Sequence, residues 1–187
     1  MMYHHILKDF SFMTDRCMKV PVSSGNRHSG RSISSPLNKN GVRFMVLGNR
    51  DRLSDEINTE IDACMQMTAD NEALTLIVFL SYSGKWDILQ AAKKMALEMI
   101  RHPEKREELE NMGVDGFDRF LVTAGIPDPD LIVRTSGESR ISNYMLWQSA
   151  YTEFLFVDTL WPDFRKDEFR KALESYAKRD RRYGKVK

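Results

Sequence analysis

Asp128-Pro-Asp-Leu-Ile-Val-Arg134-Thr-Ser-Gly-Glu-Ser-Arg140-Ile-Ser142-Asn143 is the stretch whose reading decides the fold. A short apolar run, Leu131–Val133, passes directly into a polar loop that holds two arginines, hydroxyls and a glycine. In parallel α/β sheets, ligands gather at the carboxyl ends of strands. Arginine forks match phosphate oxygens, and a helix expected to start near Ser142 would add amide donors. The loop therefore reads as a pocket for phosphate or diphosphate. A plain structural reading stands beside it with equal weight. In that reading Arg134 pairs with Asp128 or Asp130, Arg140 pairs with Glu138, and Ser142 is only a helix cap.

Working outward, Val42–Leu47 and Leu74–Leu80 are β-branched apolar runs suited to strands covered on both faces, and Phe154–Val157 is a shorter one. Helical spacing lies between them. Ser54 is placed to cap a helix with Ile57, Ile61, Cys64 and Met65 on one face. Trp86 to Ile100 puts Ile88, Ala92, Met95, Ala96 and Met99 on another. Val114, Phe117 and Leu121 predict a third face ended by Gly125 and Pro127. Phe169, Ala172, Leu173 and Tyr176 predict a fourth, with Gly184 as the stop. Strands alternating with helices predict an α/β fold with a largely parallel sheet and flanking helices.

Composition bounds the alternatives. The 187 residues are 42% hydrophobic, enough for one domain with a core and too apolar for disorder throughout. A formal net charge of +1 gives no argument for nucleic acid. Two cysteines, Cys17 and Cys64, exclude a disulfide framework, and no Cys/His cluster has zinc spacing. The longest uncharged apolar run, Ala73 to Gly84, is well short of a bilayer span, and charges interrupt the N-terminal segment. The expected location is cytoplasmic. Residues 1–40 carry six basic and two acidic side chains, and Pro21–Pro36 is rich in serine without any acid. Residues 1–36 are therefore expected to be a basic, serine-rich, disordered tail, and residues 37–187 the domain.

The end of the Leu74–Leu80 run, Ser81-Tyr-Ser-Gly-Lys-Trp-Asp87, is a second candidate ligand edge. Ser83 and Gly84 turn the chain, and Asp87 sits where a helix dipole favours a carboxylate. Lys85 reads as a solvated lysine before it reads as a phosphate contact. Trp147 and Trp161 read as core or subunit interface. Glu153, between aromatic residues at the start of a strand, needs a cation, a hydrogen-bond partner or solvent.

These residues resemble a known family. Pro127-Asp-Pro-Asp-Leu-Ile-Val-Arg-Thr-Ser-Gly-Glu, Arg140-Ile-Ser-Asn-Tyr-Met-Leu-Trp-Gln and Tyr151-Thr-Glu-Phe-Leu-Phe-Val-Asp-Thr-Leu-Trp-Pro-Asp-Phe are similar to the C-terminal signature of the cis-prenyltransferases, with the bacterial undecaprenyl diphosphate synthases as the nearest look-alikes. Ser81-Tyr-Ser-Gly-Lys-Trp-Asp-Ile, Val46-Leu-Gly-Asn-Arg-Asp-Arg-Leu and Arg181-Arg-Tyr-Gly extend the likeness over about residues 37–185. The resemblance implies an undecaprenyl diphosphate synthase-like fold and condensation of isopentenyl diphosphate onto an allylic diphosphate such as farnesyl diphosphate. It also implies Mg²⁺, a homodimer and peripheral membrane contact for product release. Carried over by position, it implies diphosphate binding by Arg134, Arg140, Ile141 and Ser142, and metal association for Glu153.

The match departs from the family in two ways. The family's Met-Asp-Gly-Asn-Gly-Arg-Trp-Ala motif, which holds the allylic diphosphate, has no counterpart in residues 1–40, and Asp115-Gly116 lies far downstream. The domain is thus expected to be incomplete at its N-terminus. Ser81, Ser83, Lys85 and Ser139 also replace the usual residues. Two functions follow from different classes: a shortened cis-prenyltransferase with weak or no activity of its own, and a non-catalytic subunit that binds isopentenyl diphosphate or a dimer partner. A poorly folding product of a damaged gene is the third outcome.

Overall fold

The computed structural model describes residues 34–179, so the expected tail up to residue 33 and the expected stop at Gly184 lie outside the described residues. These residues divide into a larger unit, 34–128 with 142–150, and a smaller one, 129–141 with 151–179.

The larger unit opens with helix α1 (Ser34–Lys39), strand β1 (Val42–Gly48), helix α2 (Asp55–Met67) and strand β2 (Leu74–Leu80). Strands β1 and β2 pair in parallel with Val42 opposite Leu74 and Gly48 opposite Leu80. The Ser54 hydroxyl accepts from Ile57 N at 3.3 Å and caps α2, as its position predicts. One edge of β1 is closed by side chains. Phe44 N donates to the fully buried Thr68 Oγ1 at 3.0 Å, and Asn71 Nδ2 donates to Val42 O at 3.0 Å. Main-chain groups that would otherwise invite another strand are satisfied there. At the other end of the pair, a Cβ on Gly48 would lie 1.9 Å from Leu80 O, so only glycine permits that approach.

Helix α3 (Gly84–Arg101) follows, then α4 (Arg106–Glu110) and the single turn α5 (Val114–Phe117). Ala91, Leu109, Phe120 and Leu121 form a buried cluster against Met95, Met99, Met112, Phe117 and Trp147. Truncating Phe120 there would cost about 3–5 kcal/mol on typical values. Two expectations need correction. Ile57 was expected on a core face and is 45% exposed, whereas Ile61 alone in α2 is buried. The helix expected over Val114–Leu121 is one α-turn continued as a 3₁₀ turn, Asp118–Phe120, with Leu121 extended. Gly116 weakens the helix, and packing pulls Leu121 into the core while Val114 stays 70% exposed.

The smaller unit holds β3 (Leu131–Arg134) and β4 (Glu153–Phe156), again parallel, with Leu131 opposite Glu153 and Arg134 opposite Phe156. The polar loop after β3 folds back on the continuation of β4: Val157 N donates to Arg134 O at 2.9 Å, Gly137 N to Val157 O at 3.0 Å and Ser136 N to Thr159 O at 2.9 Å. Helix α6 (Lys166–Ala177) buries Ala172 beside Phe164, against Val133, Leu155, Val157 and Phe169. All four expected strands and the parallel α/β pairing are present, arranged among the described residues as two two-stranded sheets, one per unit.

Candidate functional site

The expected diphosphate residues fall in both units, and each is described where it stands. Arg134 is the last residue of β3, half-buried, and its Nε is buried without a hydrogen-bond partner. A buried guanidinium nitrogen left unpaired is costly, so this position is suited to an anionic oxygen from a ligand. Arg140 is exposed and pairs with Glu138, which is the plain structural reading of that residue. Such an exposed pair contributes little to stability and is readily exchanged for a phosphate. Ile141 is half-buried and follows Arg140 in the smaller unit.

Ser142 belongs to the larger unit, with its side chain exposed. No helix starts there. Residues 142–150 are a series of turns, with left-handed φ at Ser142 (49°), Asn143 (61°) and Met145 (45°). Three L-residues in that region cannot begin a right-handed helix, and each costs about 1–2 kcal/mol. The helix expected near Ser142 is therefore replaced by a strained turn.

That turn is anchored to the end of β2 and the start of α3. The first four amides of α3 are all taken: Gly84 N by Asn143 O (2.7 Å), Lys85 N by Asn143 Oδ1 (2.9 Å), Trp86 N by Ser83 Oγ (3.4 Å) and Asp87 N by Ser83 O (2.9 Å). Tyr144 packs edge-on against Phe79 and Tyr82, with ring centroids 5.3 and 5.8 Å apart. Asp87, 1% exposed, is the hub beneath. It accepts from Val122 N at 3.0 Å, Tyr82 Oη at 3.1 Å and Gln148 Nε2 at 3.2 Å, and Gln148 also donates to Thr123 Oγ1 at 2.9 Å. Burial raises the Tyr82 phenol far above its ordinary range, and the Asp87 charge and hydrogen bond raise it further. Burial alone raises Tyr144. Sequence reading placed Asp87 at a helix dipole and missed its hub role, because partners 35 and 61 residues away leave no local pattern.

Glu153 opens β4, and Arg179 donates to its Oε2 at 2.6 Å. No group of three His, Cys, Asp or Glu residues able to hold a metal ion occurs among the described residues. Mg²⁺ often keeps several waters and takes one or two carboxylates plus substrate phosphates. Arg179 leaves Glu153 Oε1 for such an ion, so these residues fit an ion brought by a diphosphate and do not form a resident metal site on their own. Trp147 lies against the core with Nε1 donating to Asp118 at 2.6 Å, whereas Trp161 is 47% exposed.

Comparison with known proteins gives the family. A family model described as "Putative undecaprenyl diphosphate synthase" matches residues 18–184. The chain is 44% identical over 151 residues to the isoprenyl transferase of Chlorobaculum tepidum, covering 79% of this chain and 55% of that one. It is 45% identical over 148 residues to the farnesyl-diphosphate-specific ditrans,polycis-undecaprenyl-diphosphate synthase of Coxiella burnetii, covering 79% and 61%. The chain thus spans little more than half the length of these curated relatives. Among solved structures, lavandulyl diphosphate synthase from Lavandula x intermedia, in complex with dimethylallyl diphosphate, superposes with a TM-score of 0.71 at 29% identity, covering 81% of this chain and 68% of that one. A probable undecaprenyl diphosphate synthase from Campylobacter jejuni gives 0.68 at 28%, covering 81% and 67%. By the family match, the relatives and the shared fold together, the chain belongs to the undecaprenyl diphosphate synthase family of prenyltransferases.

Proposed function

We propose that this chain is the isopentenyl diphosphate-binding portion of a cis-prenyltransferase, an enzyme that joins isopentenyl diphosphate to an allylic diphosphate such as farnesyl diphosphate. The observation that carries the reading is Arg134: a guanidinium at the carboxyl end of a parallel strand with a buried, unpartnered Nε. Diphosphate oxygens satisfy that nitrogen. Within the same unit Arg140 exchanges Glu138 for the same class of ligand, and Ile141 contributes an apolar wall. Holding the diphosphate fixes the alkene of isopentenyl diphosphate for attack, and such positioning is worth about 7–11 kcal/mol when both reactants are held. Glu153 would be the protein carboxylate to hold a magnesium ion, which would offset the charge of the bound diphosphate.

Tyr151, Phe156, Leu160 and Trp161 are exposed apolar side chains of the smaller unit, which supports a homodimer that covers them. No described helix is long and apolar enough to cross a membrane. Independently of that, the proposed location, resting on the family resemblance, is cytoplasmic with peripheral membrane contact for product release.

Isothermal titration with isopentenyl diphosphate and Mg²⁺ tests the reading. Binding is expected for the unaltered chain, with Arg134→Ala at least tenfold weaker, about the loss of one charge-assisted hydrogen bond. Equal binding by both proteins, or none by the unaltered one, would refute it. Incorporation of labelled isopentenyl diphosphate with farnesyl diphosphate then shows whether the chain turns over alone.

A further inference from the structure

Within the larger unit alone, a cavity of about 460 Å³ lies between the second half of α3 and the turn that ends at Phe120. It is lined by Lys94, Leu97, Glu98, Arg101, His102 and Phe120. That volume falls within the range of about 300–1,000 Å³ usual for small-molecule sites. Lys94, Leu97 and Arg101 stand at i, i+3 and i+7, on one stripe of α3. Leu97 and Phe120 give the cavity an apolar wall, Phe120 buried and Leu97 46% exposed. The charges in the lining do not cancel. Glu98, its one acid, is taken by Lys105 Nζ at 3.1 Å, and His102 Nδ1 is bonded to Glu104 at 3.1 Å. Lys94 Nζ reaches only the Phe120 carbonyl, at 3.4 Å, and Arg101 has no acidic partner among the described residues. Gln90, one turn before Lys94 on the same stripe, has a buried Nε2 without a hydrogen-bond partner. The stripe thus carries more donors than the protein itself accepts. A cation in the last turn suits the helix dipole, which accounts for Arg101. Lys94, in the middle of α3, and the apolar wall fall outside that account.

We propose that this cavity binds a small amphipathic anion, an oxyanion head group on a short hydrocarbon body. The head is held by Lys94 and Arg101. The ammonium exchanges a long bond to a neutral carbonyl for a charge-assisted one, and the guanidinium gains a partner for its fork. The body covers Leu97 and the Phe120 ring, flanked by the aliphatic stems of the two cations, and takes apolar surface out of water. A bare inorganic anion leaves that wall wet, and a neutral chain leaves both cations unpaired. The cavity is built from the larger unit, whereas Arg134 belongs to the smaller one, so this inference does not depend on the proposed binding of isopentenyl diphosphate.

Octyl phosphate, kept below its micelle-forming concentration, is the probe, and isothermal titration the readout. Saturable binding with a dissociation constant at or below about 1 mM is expected for the unaltered chain, the range open to a ligand of this size. Lys94→Met and Arg101→Met keep an apolar stem and remove the charge, and each should weaken binding at least about tenfold. Both positions are exposed, and the two variants are independent, so misfolding of one leaves the other to decide. Inorganic phosphate and octanol should each bind at least about tenfold more weakly than octyl phosphate. Arg134→Ala should bind octyl phosphate as the unaltered chain does. No binding by the unaltered chain, or undiminished binding in a folded methionine variant, overturns the proposal. Octanol or inorganic phosphate binding as tightly as octyl phosphate overturns the ligand class. Loss of the probe in Arg134→Ala, with the methionine variants unaffected, assigns it to Arg134 and overturns this cavity as its site.

Discussion

The Arg179 guanidinium, just past the end of α6, donates to Glu153 Oε2 at 2.6 Å and to the Phe154 carbonyl at 3.0 Å. It ties the end of the described chain to the first residue of β4. Both side chains are about 30% exposed, so solvent screening is partial. Arg179→Ala is expected to lower unfolding free energy by about 0.5–1.5 kcal/mol. Arg179→Lys, which keeps the charge and loses the fork, should fall between the two. Urea denaturation measures both, and a midpoint unmoved by Arg179→Ala would remove the pair from the stability account.

Gly84 is set by contact. A Cβ there would meet Leu146 Cγ at 2.7 Å and Leu146 N at 2.9 Å, and a main-chain atom cannot rotate away. Gly84→Ala is expected to destabilise by about 1–3 kcal/mol despite the better helix propensity of alanine. A gain in thermal midpoint would show that the 142–150 turn yields easily.

Asp87→Ala leaves Val122 N, Tyr82 Oη and Gln148 Nε2 without that acceptor in a buried setting. The expected cost is about 3–5 kcal/mol. Asp87→Asn keeps one oxygen for Val122 N and should cost less. Chemical denaturation of the pair gives the order, and equal losses would argue that charge, and not acceptor geometry, matters at this hub.

Alkaline pH should weaken the fold through Tyr82 and Tyr144. Burial raises both phenols above their ordinary value of 10.0, and Asp87 raises Tyr82 further. Their neutral forms belong to the folded state, while the unfolded phenols ionise near 10. The stabilisation is therefore complete below pH 10 and is lost as pH rises towards the folded-state values. Each group can steepen the loss by up to about 1.4 kcal/mol per pH unit. Tyr82→Phe should flatten the decline between pH 10 and 11.5, as read from urea midpoints, and an unchanged slope would exclude Tyr82 as its source.

Much of the architecture was legible one residue at a time. Val42–Leu47 and Leu74–Leu80 are β-branched and apolar, so chain stiffness and burial both favour strands. Ser54 announces the start of α2 because an N-cap acts within three residues of itself. The arginines and the hydroxyl of the 134–142 stretch raise the expectation of anion binding because residue type alone carries that chemistry, and the pairing of Arg140 with Glu138 follows the plain structural reading. The tertiary structure decided what depends on partners distant in sequence. Ser142 looked like a helix cap, yet the amides of Gly84 and Lys85 hold its neighbour in a left-handed turn. Ile57 follows the helical period but is left partly exposed, while Ile61 is buried. Asp87 became a buried hub and Glu153 found Arg179, 26 residues on. Local propensity and periodicity act over a few residues, so sequence determines the elements. Which side chains meet depends on how those elements pack, and only the folded chain supplies that.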